Sequence, residues 1–138
     1  MGYHISMMDS KFRIPASVKE QALAAMKRMN PSKKGSGYWQ DKPQWAWVDQ
    51  EIVNKAPTLE DAMTEWRYVP EMDDEGNIVD ISFEGEKIGD EMEMFKTIAP
   101  FVEEGSYIEM QGEDGAFWRW VFKNGQVKEV TPRVEWDD

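Results

Sequence analysis

The last third of the chain dictates most about the fold, because turn chemistry there fixes both the number of strands and how they run. Asn124-Gly125 is a strong short hairpin signal, since a two-residue turn of the right twist needs positive φ at both central positions. Gly112-Glu113-Asp114-Gly115 is a second turn of the same kind of composition. Between and beside them, Ser106–Gln111, Ala116–Phe122 and Gln126–Val130 read as strands, so the segment is a three-stranded antiparallel meander. Its middle strand is Phe117-Trp118-Arg119-Trp120-Val121-Phe122. Trp118, Trp120 and Phe122 share one face and Phe117 and Val121 the other, a pattern that predicts a central strand covered on both sides.

Upstream, helical and strand patterns alternate. Tyr3 to Met8 predicts a first strand, with its β-formers at alternate positions. Ser17 and Glu20 form a capping box ahead of Val18, Ala22, Ala25, Met26 and Met29, so a helix is expected over 17–29, stopped by Asn30-Pro31. Residues 31–43 are Pro, Gly, Ser and Lys-rich and read as a flexible loop, with a short strand at 45–48 after it. Thr58 and Asp61 cap a helix over 58–66, and Asp90 and Glu93 cap another that Pro100 ends. Strands at about 67–72 and 78–84 flank the turn Asp74-Glu75-Gly76-Asn77. The sum is one α+β domain over 1–138: a mostly antiparallel sheet with helices on one face, a split β-α-β core of ferredoxin-like type being the leading topology.

Composition narrows the chemistry. The absence of Cys removes thiolate catalysis, Cys-ligated zinc and iron–sulfur clusters together. His4 is the single histidine, so no His-based metal spacing exists and no metal or cofactor is expected. The run Asp73-Asp74-Glu75-Gly76-Asn77 carries oxygen ligands, but Ser82 stands where a calcium loop needs its glutamate. No phosphate-cradling or nucleophile-elbow motif is present; Lys33-Lys34-Gly35-Ser36-Gly37 lacks the strand and helix that would frame it. No catalytic residue can be named, and a non-enzyme is the expectation, with a carboxylate-based enzyme or nucleotide binder as one alternative. A homo-oligomeric structural or regulatory subunit is the other. The start MGYHISMMDSKFRIP has no basic region followed by a long apolar run, so neither a leader nor a membrane span is expected.

The net charge of -11 is unevenly placed: residues 1–34 carry +5, leaving -16 on the remainder. Such a body repels nucleic-acid phosphates and anionic membranes and steers the protein toward a basic partner. Tryptophans in loops suit an interface, Trp being a frequent hot-spot residue. The residues expected to touch a partner are therefore Trp39, Trp45, Asp73, Asp74, Glu75, Glu103, Glu104, Glu113 and Asp114.

The opening Met1-Gly2-Tyr3-His4-Ile5-Ser6-Met7 and the stretch from Phe95 to Trp120 resemble small acidic proteins of bacterial phages and mobile elements. That resemblance brings no activity and no residue roles. It implies the cytoplasm of a bacterial host cell as the setting. There, small acidic proteins bind and inhibit basic host proteins, defence nucleases among them, some by imitating the charge of DNA.

Overall fold

The computed structural model describes residues 2–34, 38–39 and 42–137. In chain order the elements are β1 (Ile5–Lys11), α1 (Lys19–Lys27), β2 (Tyr38–Trp39), β3 (Lys42–Pro43), α2 (Gln50–Lys55), α3 (Leu59–Glu65), β4 (Tyr68–Met72), β5 (Ile78–Phe83), α4 (Glu91–Ile98), β6 (Tyr107–Gly112), β7 (Phe117–Lys123) and β8 (Gln126–Val130). Tight 3-10 turns occupy Ala16–Val18, Pro31–Lys34 and Ala99–Phe101.

The expected meander is present as β6-β7-β8, and β1 adds to its free side, giving a four-stranded antiparallel sheet in the order β1-β6-β7-β8. Asn124 and Gly125 have φ of 56° and 72°, the pair of positive values that a two-residue hairpin turn demands. β4 and β5 form a separate hairpin, as do the short β2 and β3. The class is α+β, as expected. Its strand order is not the ferredoxin-like one: the main sheet is a consecutive meander, β6-β7-β8, with β1 beside β6, whereas a split β-α-β unit sets an antiparallel strand between two parallel strands joined by a helix.

A seam joins the β4–β5 hairpin to the larger sheet. β1 and β5 run antiparallel and touch at two isolated bridges, His4 with Lys87 and Ile14 with Ile78. At one end Ile5 N–H donates to Glu86 O (3.0 Å); at the other Ile14 and Ile78 exchange bonds of 3.0 and 2.9 Å. Between these pins β1 bulges between Met7 and Asp9, turning Met8 outward. Across the middle, Ser10 Oγ donates to Asp80 Oδ1 (2.6 Å), with Ile81 O at 3.2 Å.

One face of the sheet is covered. Ile108 and Met110 of β6 and Trp118, Trp120 and Phe122 of β7 join a buried cluster with Ala22 and Met26 of α1, Ala62 and Met63 of α3, and Met94, Phe95 and Ile98 of α4. Phe95 is a hub, its ring centroid 5.0 Å from Trp120, 5.1 Å from Tyr68 and 5.9 Å from Phe122. The opposite face is open: Phe117 and Arg119 are exposed and Val121 only half-buried. β7 is therefore central but covered on one side, because no helix crosses to the outer face and Arg119 keeps it polar.

The helix starts differ from expectation in instructive ways. Thr58 caps α3 as predicted, its Oγ1 accepting from Asp61 N–H at 3.2 Å and donating to Asp61 Oδ2 at 2.8 Å. Replacing Thr58 by alanine is expected to cost about 1 kcal/mol of stability, read as a lower urea midpoint at unchanged slope. Ser17 instead falls inside the 3-10 turn, and Val18 stands at the α1 cap without a side-chain bond. Asp90 stands at the α4 cap, but its carboxylate is taken by Ala46 N–H at 2.8 Å. The strand expected at 45–48 is a turn closed by a Trp45–Val48 bridge, with Trp47 at a φ of 66°. Helix α2 follows it, capped by Asp49 through Glu51 N–H at 2.9 Å. The loop expected over 31–43 carries a 3-10 turn and the β2–β3 pair; its residues 35–37 and 40–41 lie outside the described residues.

Candidate binding surface

Most of the expected partner residues are tied up locally. Trp45 is buried at 4% exposure, its ring tilted against that of Trp66 at 5.5 Å, and its indole N–H donates to Gln50 Oε1 at 2.7 Å. It is a core residue because the turn at 46–47 folds its ring inward over α2, so its place as an interface anchor is withdrawn. Trp39 lies in β2, and its side chain is outside the described residues. Asp73 accepts from the backbone N–H of Glu75 and Asn77 and from the Asn77 amide, at 2.9–3.0 Å. The Asn77 bond holds the Asp73 carboxyl below the usual range. Glu103 pairs with Arg13 Nε at 3.4 Å, and Glu104 accepts from Asn124 N–H at 3.0 Å. Glu113 accepts from His4 N–H at 3.0 Å. Asp114 accepts from the Tyr3 hydroxyl, which holds it below the usual range. Asp74 and Glu75 are exposed in the β4–β5 turn.

These carboxylates do not converge. Asp73 and Glu103 flank Arg13, near the end of β6 that begins at Tyr107. Glu113 and Asp114 follow the other end of β6, about 20 Å away at strand rise.

A different acidic site emerges over the seam. Where β1 and β5 part, two adjoining hollows of about 490 and 390 Å³ share Ile5, Ser6 and Gly85. Together they run along β1 from Ile5 to Ser10. Asp9 and Asp80 line the first, Glu86 and Glu113 the second, with the hydroxyls of Ser6, Ser10 and Ser82 between them. Among the described residues no Lys or Arg lines either hollow. Two glycines shape the ends. At Gly112 a side chain would collide with the Tyr3 ring that lies across the sheet end, and at Gly85 with the Phe83 ring. Asp80 accepts from Ser10 Oγ and Ile81 N–H, and Asp9 accepts from the Tyr107 hydroxyl at 2.8 Å, so both are held in place. Glu86 is exposed, and its carboxylate has no hydrogen-bond partner among the described residues. Of this set, sequence reasoning reached only Glu113. The readable signal for the rest was Asp80, Ser82, Glu84 and Glu86 at alternate positions, the polar face of a strand.

The outer face of the main sheet offers a second feature. Arg119 lies 4.4 Å over the Tyr107 ring and donates from Nε to Glu109 Oε1 at 2.7 Å. Beside them a groove of about 440 Å³ is lined by Glu109, Phe117, Trp118, Arg119, Val130, Thr131 and Pro132.

One carboxylate is truly buried. Glu91, at 4% exposure, accepts from the Tyr68 hydroxyl at 2.8 Å and from Gly89 N–H at 2.6 Å. Burial is the main cause raising its carboxyl above the usual range, and burial followed by the nearby Glu91 raises the Tyr68 hydroxyl well above its own. The hollow beside it, lined by Trp47, Trp66 and Arg67 among others, is about 10 Å³, room for no more than about one water. Glu91 is thus a sealed structural acid rather than a group that meets a substrate. Among the described residues no three His, Cys, Asp or Glu side chains are grouped to hold a metal ion, and no helix is long and apolar enough to cross a membrane.

Comparison of the chain with protein families, with curated proteins and with solved structures finds no match.

Proposed function

We propose that this chain is a non-enzymatic interaction protein whose seam groove receives a basic segment of a partner protein. The observation that supports this reading is a continuous groove with Asp9, Asp80, Glu86 and Glu113 along it and, among the described residues, no Lys or Arg in its lining. An unopposed row of carboxylates on a chain of net charge -11 raises the local concentration of cationic groups and speeds their arrival. The serine hydroxyls supply further acceptors for ammonium and guanidinium donors. The lining follows β1 from Ile5 to Ser10, so a segment of about six extended residues matches its length. In the setting that the phage resemblance implies, the partner is a basic host protein such as a defence nuclease. Imitation of DNA gains little support, because the carboxylates of the turns are divided between the two ends of β6 and bonded locally.

The test is fluorescence polarisation with a labelled arginine- and lysine-rich peptide at about 50 mM and about 300 mM salt, a change that shortens the screening length markedly. Binding that weakens with salt is expected. Glu86→Lys should weaken it about five- to tenfold, as for reversal of one exposed charge at the contact. Glu51→Lys, an exposed site on α2, makes the same change in net charge and should leave binding nearly unaltered. Equal weakening by the two variants would mean non-specific attraction to an acidic protein and would end the proposal.

A further inference from the structure

We infer that two copies of this chain associate by exchanging the segments that follow β8, residues 133–137 of each lying in the groove on the open sheet face of the other. Three observations converge on this. First, the tail continues β8 without secondary structure, yet it has a strand's pattern: Val130, Pro132, Val134 and Trp136 alternate with Thr131, Arg133, Glu135 and Asp137. Val134 and Trp136, at 75% and 86% exposure, are the most exposed large apolar side chains among the described residues. A tail patterned to bury one side is left with that side in solvent.

Second, the outer groove by Phe117 and Arg119 is of matching character. Phe117 stands 42% exposed beside it, and Val130 and Pro132 add further apolar surface. Its charges complement those of the tail. The groove offers Glu109 and Arg119, paired at 2.7 Å, and the tail offers Arg133 and Glu135, paired at 2.9 Å. Bringing the two pairs together sets Arg133 against Glu109 and Glu135 against Arg119 without stranding any charge.

Third, the tail cannot fill its own groove. Thr131 and Pro132 already line that groove, so the chain is leaving it at this point. A return within Arg133-Val134-Glu135-Trp136 would need a reversal, and no Gly, Asn or Pro stands there to make one. A second copy supplies a tail without that constraint. Two-fold symmetry makes the exchange reciprocal, so each copy gives one tail and receives one. Each Trp136 that is covered contributes roughly 150–250 Å². The two rings together bury only about 300–500 Å², so the interface falls in the weak class, with a dissociation constant of about micromolar order.

Sedimentation velocity on the full chain, at concentrations up to about 500 µM and so well above that affinity, should show a monomer–dimer equilibrium. Trp136→Ala and Phe117→Ala lie on exposed positions and should each weaken the dimer about tenfold or more. Because the chain has no cysteine, the double variant Phe117→Cys/Val134→Cys should form disulfide-linked dimers on mild oxidation. Three results would overturn the inference: a monomer throughout the concentration range, a dimer indifferent to Trp136→Ala, or a double variant that closes its disulfide within one chain.

Discussion

Replacing Trp120 by alanine is expected to remove about 3–5 kcal/mol of stability, a large part of what a domain of this size possesses. Trp120 is 1% exposed. Its ring lies 5.0 Å from Phe95 and 5.8 Å from Trp118, so truncation opens a cavity at the contact between β7 and α4. It also removes the indole N–H that donates to Glu129 Oε1 at 3.0 Å, on the neighbouring strand β8. Phe117, on the same strand but the outer face, is the internal control. At 42% exposure it has little packing to lose, and alanine there should cost about 1 kcal/mol or less. Urea unfolding of the two variants, at concentrations well below those that would form a dimer, measures the contrast. Similar midpoints would mean that the outer face of β7 is covered within the monomer.

Glu91→Ala should come close to the same loss by a different route. Alanine leaves the Tyr68 hydroxyl and Gly89 N–H buried without an acceptor, and each orphaned donor costs about 1–3 kcal/mol. Glu91→Gln keeps an acceptor oxygen for Gly89 N–H and sets its amide N–H toward the Tyr68 hydroxyl, which can turn to accept it, so it should be milder. The pair also separates hydrogen bonding from charge. Burial raises the Glu91 carboxyl in the folded chain above its unfolded value. Between those two values the folded chain holds a proton that the unfolded chain has released. Stability therefore falls as pH rises across that window, and is recovered on its acid side. Unfolding free energies between about pH 4 and about pH 8, a range that brackets carboxyl titration, should show this slope in the parent chain and lose it in Glu91→Gln. A slope that survives the glutamine would have to come from another group.

The parts of the fold that could be read in advance are those whose cause is local. The turn at Asn124-Gly125 dictates its own backbone angles, and Thr58 with Asp61 closes on itself, so the meander and α3 emerged as expected. Failures arose wherever a distant group competed. Asp90 looks like a helix cap, but Ala46 N–H, far away in sequence, claims its carboxylate. Helix α2 spans only Gln50–Lys55, too short to express a helical period, and it holds its place through the Gln50 bonds to Trp45 and Met26. Trp45 reads as a loop residue for the same reason. The groove was hardest of all, since Asp9, Asp80, Glu86 and Glu113 come together only through the β1–β5 seam, which has no local signature.

β1 also governs when the molecule can assemble. Its end is tied to the β6–β7 turn by the bond from Tyr3 to Asp114, groups 111 residues apart along the chain. The same strand pins the β4–β5 hairpin, so two otherwise separate sheets are connected by it. The meander and the hairpin can each form from neighbouring residues, but joining them requires closing a loop that is nearly the whole chain. Such long-range closure slows folding toward the millisecond-to-second range of non-local topologies. On the ribosome, β1 emerges well before β6 and must wait unpaired for it.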